Sequence, residues 1–226
     1  MDIAQFLAPG AFIDSDSPYV IKFATLAIVG TTDSRTAALR LYSAVRDGVI
    51  YDPYVSLADP TNYRASSVLA ISRGFCIGKS ALLAASARAI GVPARVGFAD
   101  VRNHLTSRRL YEITKTDVFT WHSYTELYLS ERWVKATPAF DRALCDRVGL
   151  KPLEFDGEID SLFQPFDPAG RRHMEYLKDR GPFADVPFDA IQADFHESYP
   201  GLMNGKGLDG DFRSEAVAET PGVSRP

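Results

Sequence analysis

The chain has 226 residues, 46% of them hydrophobic and 24% charged, a balance that excludes an intrinsically disordered protein. A net charge of −4 without a basic stripe speaks against nucleic acid as a partner, and no run approaches the roughly 20 apolar residues of a membrane-spanning helix. Cys76 and Cys145 are too few for a disulfide framework and the four histidines lack ligand spacing. A reducing cytoplasm is therefore the expected location, with no metal and no other cofactor.

Residues 1–16 read as an extended lead-in that lacks the basic-then-apolar pattern of a signal peptide. Asp16-Ser17-Pro18 marks the start of a helix that runs through Tyr19 to Val29 and stops at Gly30. Thr31, Thr32 and Asp33 offer the next cap, after which Ala37, Ala38, Leu41, Tyr42 and Val45 recur at helical spacing as far as Gly48. Val49 to Tyr51 runs into a turn at Asp52-Pro53, and Asp59-Pro60 punctuates a loop over 57–63. A short helix is expected over 64–72. Ile77 to Ile90 is apolar nearly all round, the pattern of a buried central helix, and Gly91 and Pro93 end it.

Beyond Pro93 the period changes from helical to alternating, which predicts strands over 94–101, 119–129 and 133–137. Ser130-Glu131-Arg132 joins the last two as a hairpin. Residues 141–148 suit a short helix closed by Gly149. Residues 150–200 are aromatic, Pro-rich and weakly periodic, and are expected to wrap the core. From Met203 the chain is polar and Gly-bearing, the composition of a mobile tail over 203–226. Helices over 17–90 followed by an antiparallel sheet over 94–141 give an α+β fold, expected as one domain over residues 1–200.

Cys76 sits where a loop, Gly74-Phe75, enters the buried helix. The first N–H groups of a helix have no internal partner and carry partial positive charge, so this position favours a thiolate and could hold an oxyanion. A buried structural cysteine is the competing reading. His122 lies in the alternating run Trp121 to Tyr128, on a strand face shared with Tyr124, Glu126 and Tyr128. There it is placed to meet a thiol on a helix packed against the sheet, or serves as a hydrogen-bonded structural histidine. An orienting group for its ring is sought in Thr137 and Asp141, Asp141 being also a good N-cap for the helix that follows. Phe75, Asn62 and Tyr63, close to the nucleophile in sequence, are candidates for the oxyanion site or substrate cleft. Glu126 is expected to pair with a buried arginine, Cys145 to pack, and Arg171-Arg172-His173 to form a solvated basic spot.

Three blocks carry a resemblance: Gly74-Phe75-Cys76 followed by Leu82 to Arg95; His122 with Glu126-Leu127-Tyr128-Leu129; and Trp133-Val134 with Thr137-Pro138. Together they span about residues 65–141 and resemble the transglutaminase-like superfamily, which includes animal transglutaminases and many microbial cysteine proteases and amidases. The resemblance implies a papain-like α+β core in which the Cys76 helix packs on an antiparallel sheet. It further implies acyl transfer through a thioester on Cys76 with His122 as base, acting on a peptide or protein amide. Hydrolysis, as by bacterial proteases and amidases of this kind, is expected over cross-linking to an amine, and no loop suited to Ca²⁺ is present. One departure stands out. The family places Asp directly before the proline where this chain has Thr137, so Asp141, Thr137 or a backbone carbonyl must orient His122. That departure leaves open a catalytically inactive binding or scaffold domain, and a redox-sensing Cys76 is a further alternative. Oligomeric state is not legible.

Overall fold

Twelve consecutive residues, Ile77 to Arg88, are buried in a helix with no polar face, and the other elements arrange themselves around it. In the computed structural model, residues 3–104, 106–163, 166, 170, 173–205 and 209–219 are described. Three helices, α1 (Pro18–Ala27), α2 (Ser34–Gly48) and α3 (Ala65–Ile71), pack against this central helix, α4 (Cys76–Ala89). Asp33 caps α2 by accepting a hydrogen bond from the Thr36 N–H, and Pro18 opens α1 where its missing N–H costs nothing. Between α2 and α3, β1 (Ile50–Tyr51) pairs in parallel with β2 (Arg73–Gly74), which leads directly into α4.

The opposite side of α4 rests on a four-stranded antiparallel sheet. Its strands are β3 (Ala94–Asn103), β4 (Val118–Leu129), β5 (Arg132–Ala136) and β6 (Met174–Phe183), in the order β5-β4-β3-β6. β4 and β5 form the expected hairpin, with Ser130 and Glu131 both in the left-handed region as a tight two-residue turn requires. Leu127 lies buried on the helix side of the sheet, and the Thr125 hydroxyl donates to the Ser80 carbonyl at 2.8 Å, pinning helix to strand. Between β3 and β4 lies a short helix, α5 (Arg108–Thr114), and after β5 comes α6 (Arg142–Val148).

Buried cations work as ties between segments. Lys79 Nζ donates to the carbonyls of Arg46 at 2.9 Å and Val49 at 2.5 Å, closing the C-terminal end of α2. Arg88 reaches the carbonyls of Ala8, Ala94 and Ala184, tying two remote segments and the start of β3 to the far end of α4. Glu126 pairs with Arg95 at 2.5 Å, as expected, and the Arg95 guanidinium lies 4.1 Å from the centre of the Trp133 ring.

The region after residue 150 is more regular than its composition suggests. It supplies the fourth strand, β6, and three helices, α7 (Phe188–Ser198), α8 (Pro200–Met203) and α9 (Phe212–Glu219). Of the segment 203–226, expected as a tail, residues 209–219 fold back onto the core, while 206–208 and 220–226 lie outside the described residues. Phe212 anchors that return by packing edge-on against Tyr51 and Tyr54. Among the described residues no helix is long and apolar enough to cross a membrane.

The start of α4 is fixed by a close approach. A Cβ at Gly78 would lie 2.4 Å from the Asn62 carbonyl oxygen, which is backbone and cannot swing aside. Gly78→Ala is therefore expected to destabilise the fold by about 1–3 kcal/mol, a magnitude typical of overpacking. Urea denaturation checks this, and an unchanged midpoint would show that the helix start is not held against this loop.

Candidate active site

Cys76 is the first residue of α4, with the extended Phe75 as its N-cap. Its thiol is half-buried at the end of the helix nearest β4. Burial pushes the thiol up to about 11, and the backbone N–H groups of Ser123, Ile77 and Cys76 itself pull in the opposite direction. The depressed thiol expected from a helix N-terminus is thus not found. Dehydration outweighs the helix N–H groups here, because Cys76 sits in an apolar cavity rather than at an open helix end. These N–H groups nonetheless favour negative charge at this point.

His122 is buried on β4. The strict alternation read from the sequence is broken immediately before it. Ala99 pairs with His122 and Val101 with Phe119, so two residues of β4, Thr120 and Trp121, face Asp100 alone. This is a β-bulge, a device that re-aims the neighbouring side chain. Trp121 takes a φ of +59°, unusual for a bulky residue and costing on the order of 1–3 kcal/mol. A charged network holds it there. Asp100 accepts the Trp121 N–H at 3.1 Å and the Arg180 Nε at 2.5 Å; Arg180 also reaches Asp194 at 2.6 Å, which accepts the Trp121 indole N–H at 2.8 Å. Pairing of β4 with β5 ends at Thr125 opposite Ala136, so the β5 side of Ser123 and His122 is free of ladder partners.

Cys76, His122 and Phe75 line one cavity of about 80 Å³, together with Tyr51, Phe119, Trp121, Phe140, Tyr199 and Phe212. Burial and the nearby His173 ring lower His122 to about 4, which leaves it neutral at physiological pH. Its Nε2 is buried with no hydrogen-bond partner, and among the described residues none hydrogen-bonds the ring. The ring packs instead at 5.6 Å from Phe163 and 6.4 Å from Tyr176.

The remaining candidates go elsewhere. Asp141 caps α6 through the Leu144 N–H at 3.0 Å, accepts the Tyr51 N–H at 3.1 Å and pairs with Arg213 at 2.6 Å; none of these bonds goes to the imidazole. Burial would raise its carboxyl, but the Tyr51 N–H, Arg213 and the Leu144 N–H outweigh that and hold it below the usual range. Thr137 is buried with its carbonyl accepting the Tyr42 hydroxyl at 3.1 Å, while its own hydroxyl has no partner. Asn62 donates to the Ser56 carbonyl and the Tyr63 hydroxyl to that of Leu57, and neither residue lines the cavity. Tyr63 contributes indirectly, its ring standing edge-on to Phe75 at 5.2 Å.

His173 corrects the sequence reading. It is not solvated but buried, 5.5 Å from Phe163 and 6.5 Å from Phe140 between ring centres. Its neighbours Arg171 and Arg172, which made the stretch look polar, lie outside the described residues. Sequence reasoning also missed the Ser123 N–H, the bulge at Trp121, and the cavity wall built by Phe195, Tyr199, Leu202 and Phe212. Only Trp121 carried a signal, as the residue next to His122.

An imidazole at about 4 in the folded protein and 6.5 in the unfolded chain means that the unfolded chain binds more protons between these values. The stability tied to neutral His122 is complete above about 6.5 and is lost as pH falls toward 4. Against His122→Gln, which cannot titrate, the wild type should lose ground over that window by on the order of 1 kcal/mol per pH unit. Urea midpoints of the two proteins from pH 7 to 4 measure it; a constant difference would mean that the imidazole is not held neutral.

Comparison with known proteins agrees with this architecture. The sequence pattern of the Transglutaminase-like superfamily matches residues 22–138, more than half of the chain, from α1 through the hairpin that carries His122. Among solved structures, the crystal structure of a putative cysteine protease from Cytophaga hutchinsonii is similar with a TM-score of 0.52 and 17% sequence identity. The alignment covers 84% of this chain and 50% of that one, so the chain spans half the length of that protein. Comparison with curated protein sequences finds no match. With the helix that presents Cys76 packed on an antiparallel sheet that presents His122, and with this match across both, the chain belongs to the transglutaminase-like superfamily.

Proposed function

We propose that the chain is a cysteine-dependent hydrolase of amide or peptide bonds. The observation that carries this is that Cys76, at the first position of α4, and His122 line one cavity. The name of the structurally similar Cytophaga protein is in keeping with it.

The chemistry follows from the two resting states. A thiol raised to about 11 and an imidazole lowered to about 4, lining the same cavity, both rest neutral. As Cys76 Sγ attacks the carbonyl carbon, His122 takes the thiol proton, and the electron pair of the C=O bond moves to oxygen, where backbone N–H groups at the start of α4 receive it. On collapse of the tetrahedral adduct the C–N bond breaks and His122 returns the proton to the leaving amine, with a thioester left on Cys76. Water, deprotonated by the same imidazole, then releases the acid. An amine in place of water would give cross-linking; hydrolysis is the simpler outcome in a cavity with no anionic group among the described residues to hold a lysine-like acceptor.

One observation favours a second reading, a catalytically silent binding domain: among the described residues no carboxylate bonds to His122, Thr137 standing where the family has its acid. An acyl-enzyme assay separates the two. Incubation with the p-nitrophenyl ester of 3-phenylpropanoic acid, followed by mass spectrometry, should give an acyl adduct on Cys76 that decays with time. The adduct should vanish in Cys76→Ala and form about 10²-fold or more slowly in His122→Ala, the range for loss of a general base. A folded wild type that gives no adduct, or an adduct indifferent to His122, would support the silent domain.

A further inference from the structure

The cavity in front of Cys76 is nearly filled by the protein itself. Its volume of about 80 Å³ is well below the several hundred Å³ of a working ligand site. One residue that lines it is Phe212, at the start of α9, whose ring stands edge-on to Tyr51 at 5.6 Å and to Tyr54 at 6.1 Å.

The rest of α9 is held by polar ties. Arg213 pairs with Asp141 at 2.6 Å, Glu215 accepts the Tyr54 hydroxyl at 2.5 Å, and Arg109 bridges to Asp209 at 2.6 Å and Glu215 at 3.4 Å. The Arg109 pairs are partly or well exposed and contribute little, whereas Arg213 meets a buried carboxylate and is the principal tie. An eight-residue helix with no fully buried side chain also has little stability of its own. A single apolar side chain therefore lines the site on a short helix held mainly by the Arg213–Asp141 pair and the Tyr54–Glu215 bond.

The wall that Phe212 touches is also selective. Among the described residues that line the cavity there is no Asp, Glu, Lys or Arg; the polar groups are Asn103, Thr120, the tyrosine hydroxyls and the Cys76–His122 pair. A charged substrate side chain here would be desolvated without a counter-ion, whereas an aromatic or branched apolar one would replace like with like.

On the reading that Cys76 is the nucleophile, we propose that Phe212 occupies the subsite for the acyl-side group of the substrate. That group is bulky, apolar and uncharged, and α9 must leave for substrate to bind. The occupied state lowers the apparent affinity by the fraction of molecules in which the site is open, so anything that loosens α9 tightens binding of the right ligand.

The test reads binding without turnover, in a Cys76→Ala background, and so stands apart from whether Cys76 is catalytic. Calorimetric titration compares N-acetylphenylalaninamide with N-acetylglutamate α-amide in that background alone, with added Phe212→Ala, and with added Arg213→Ala. Arg213→Ala keeps the ring and removes one tie. The proposal expects the phenylalanine amide to bind at least about tenfold more tightly in both variants, a change of about 1.4 kcal/mol, and the anionic amide to gain nothing. Equal affinity with and without these substitutions overturns it, and so does an equal gain for the glutamate amide. A gain in Phe212→Ala alone would also overturn it, because it would report the filling of an artificial hole rather than the opening of a cover. A urea midpoint for each variant establishes that the protein titrated is folded.

Discussion

The structure depends on the burial of α4. A helix that is apolar on every side can only be stable with neighbours on every side, and here α1, α2 and α3 cover part of its circumference while the sheet covers the rest. Each fully buried leucine on it contributes roughly 1.5–3 kcal/mol relative to exposure. That demand fixes where the helix begins, and therefore where Cys76 stands. Gly74 and Gly78 let the chain come close to its surroundings on either side of the cysteine, Gly78 against the backbone of Asn62. The nucleophile candidate thus sits on the best-packed element of the molecule rather than on a loop.

The base candidate is placed by a different means. His122 owes its setting to a bulge and to a strained Trp121 backbone, both maintained by the Asp100–Arg180–Asp194 network between β3, β6 and α7. Strain held by surrounding ion pairs is what a site needing one side chain in one direction requires. The electrostatics run against charge. The same apolar walls raise the thiol and lower the imidazole, so both side chains rest neutral. Among the described residues, the ring of His122 is confined by packing against Phe163 and Tyr176.

How much of this was legible depends on the range of the interactions involved. The helices through α4 and the three strands β3 to β5 carry their own periodicity, and Cys76 at a helix start and His122 on a strand can be read from neighbours a few residues away. The Glu126–Arg95 pair follows from a charged residue on an inward strand face. The bulge cannot be read in this way, because Arg180, which holds Asp100, is 80 residues distant in sequence. β6 was hidden by Gly181, Pro182 and four charged residues among its ten. α9 escaped notice because it presents a single aromatic residue to the core, and His173 because two arginines precede it. Asp141 shows the opposite case. Its local signal as an N-cap was sound, and the ion pair with Arg213 commits the carboxylate to structure.

The central claim is that Cys76 gains its reactivity from His122, since burial alone would leave it inert. The most direct measurement is the rate of iodoacetamide alkylation at pH 7.5 in wild type and His122→Gln, with the labelled cysteine located by mass spectrometry. The account predicts labelling of Cys76 in preference to the buried Cys145, slowed about tenfold or more by loss of the imidazole. Equal rates in the two proteins, or label on Cys145 before Cys76, would contradict it.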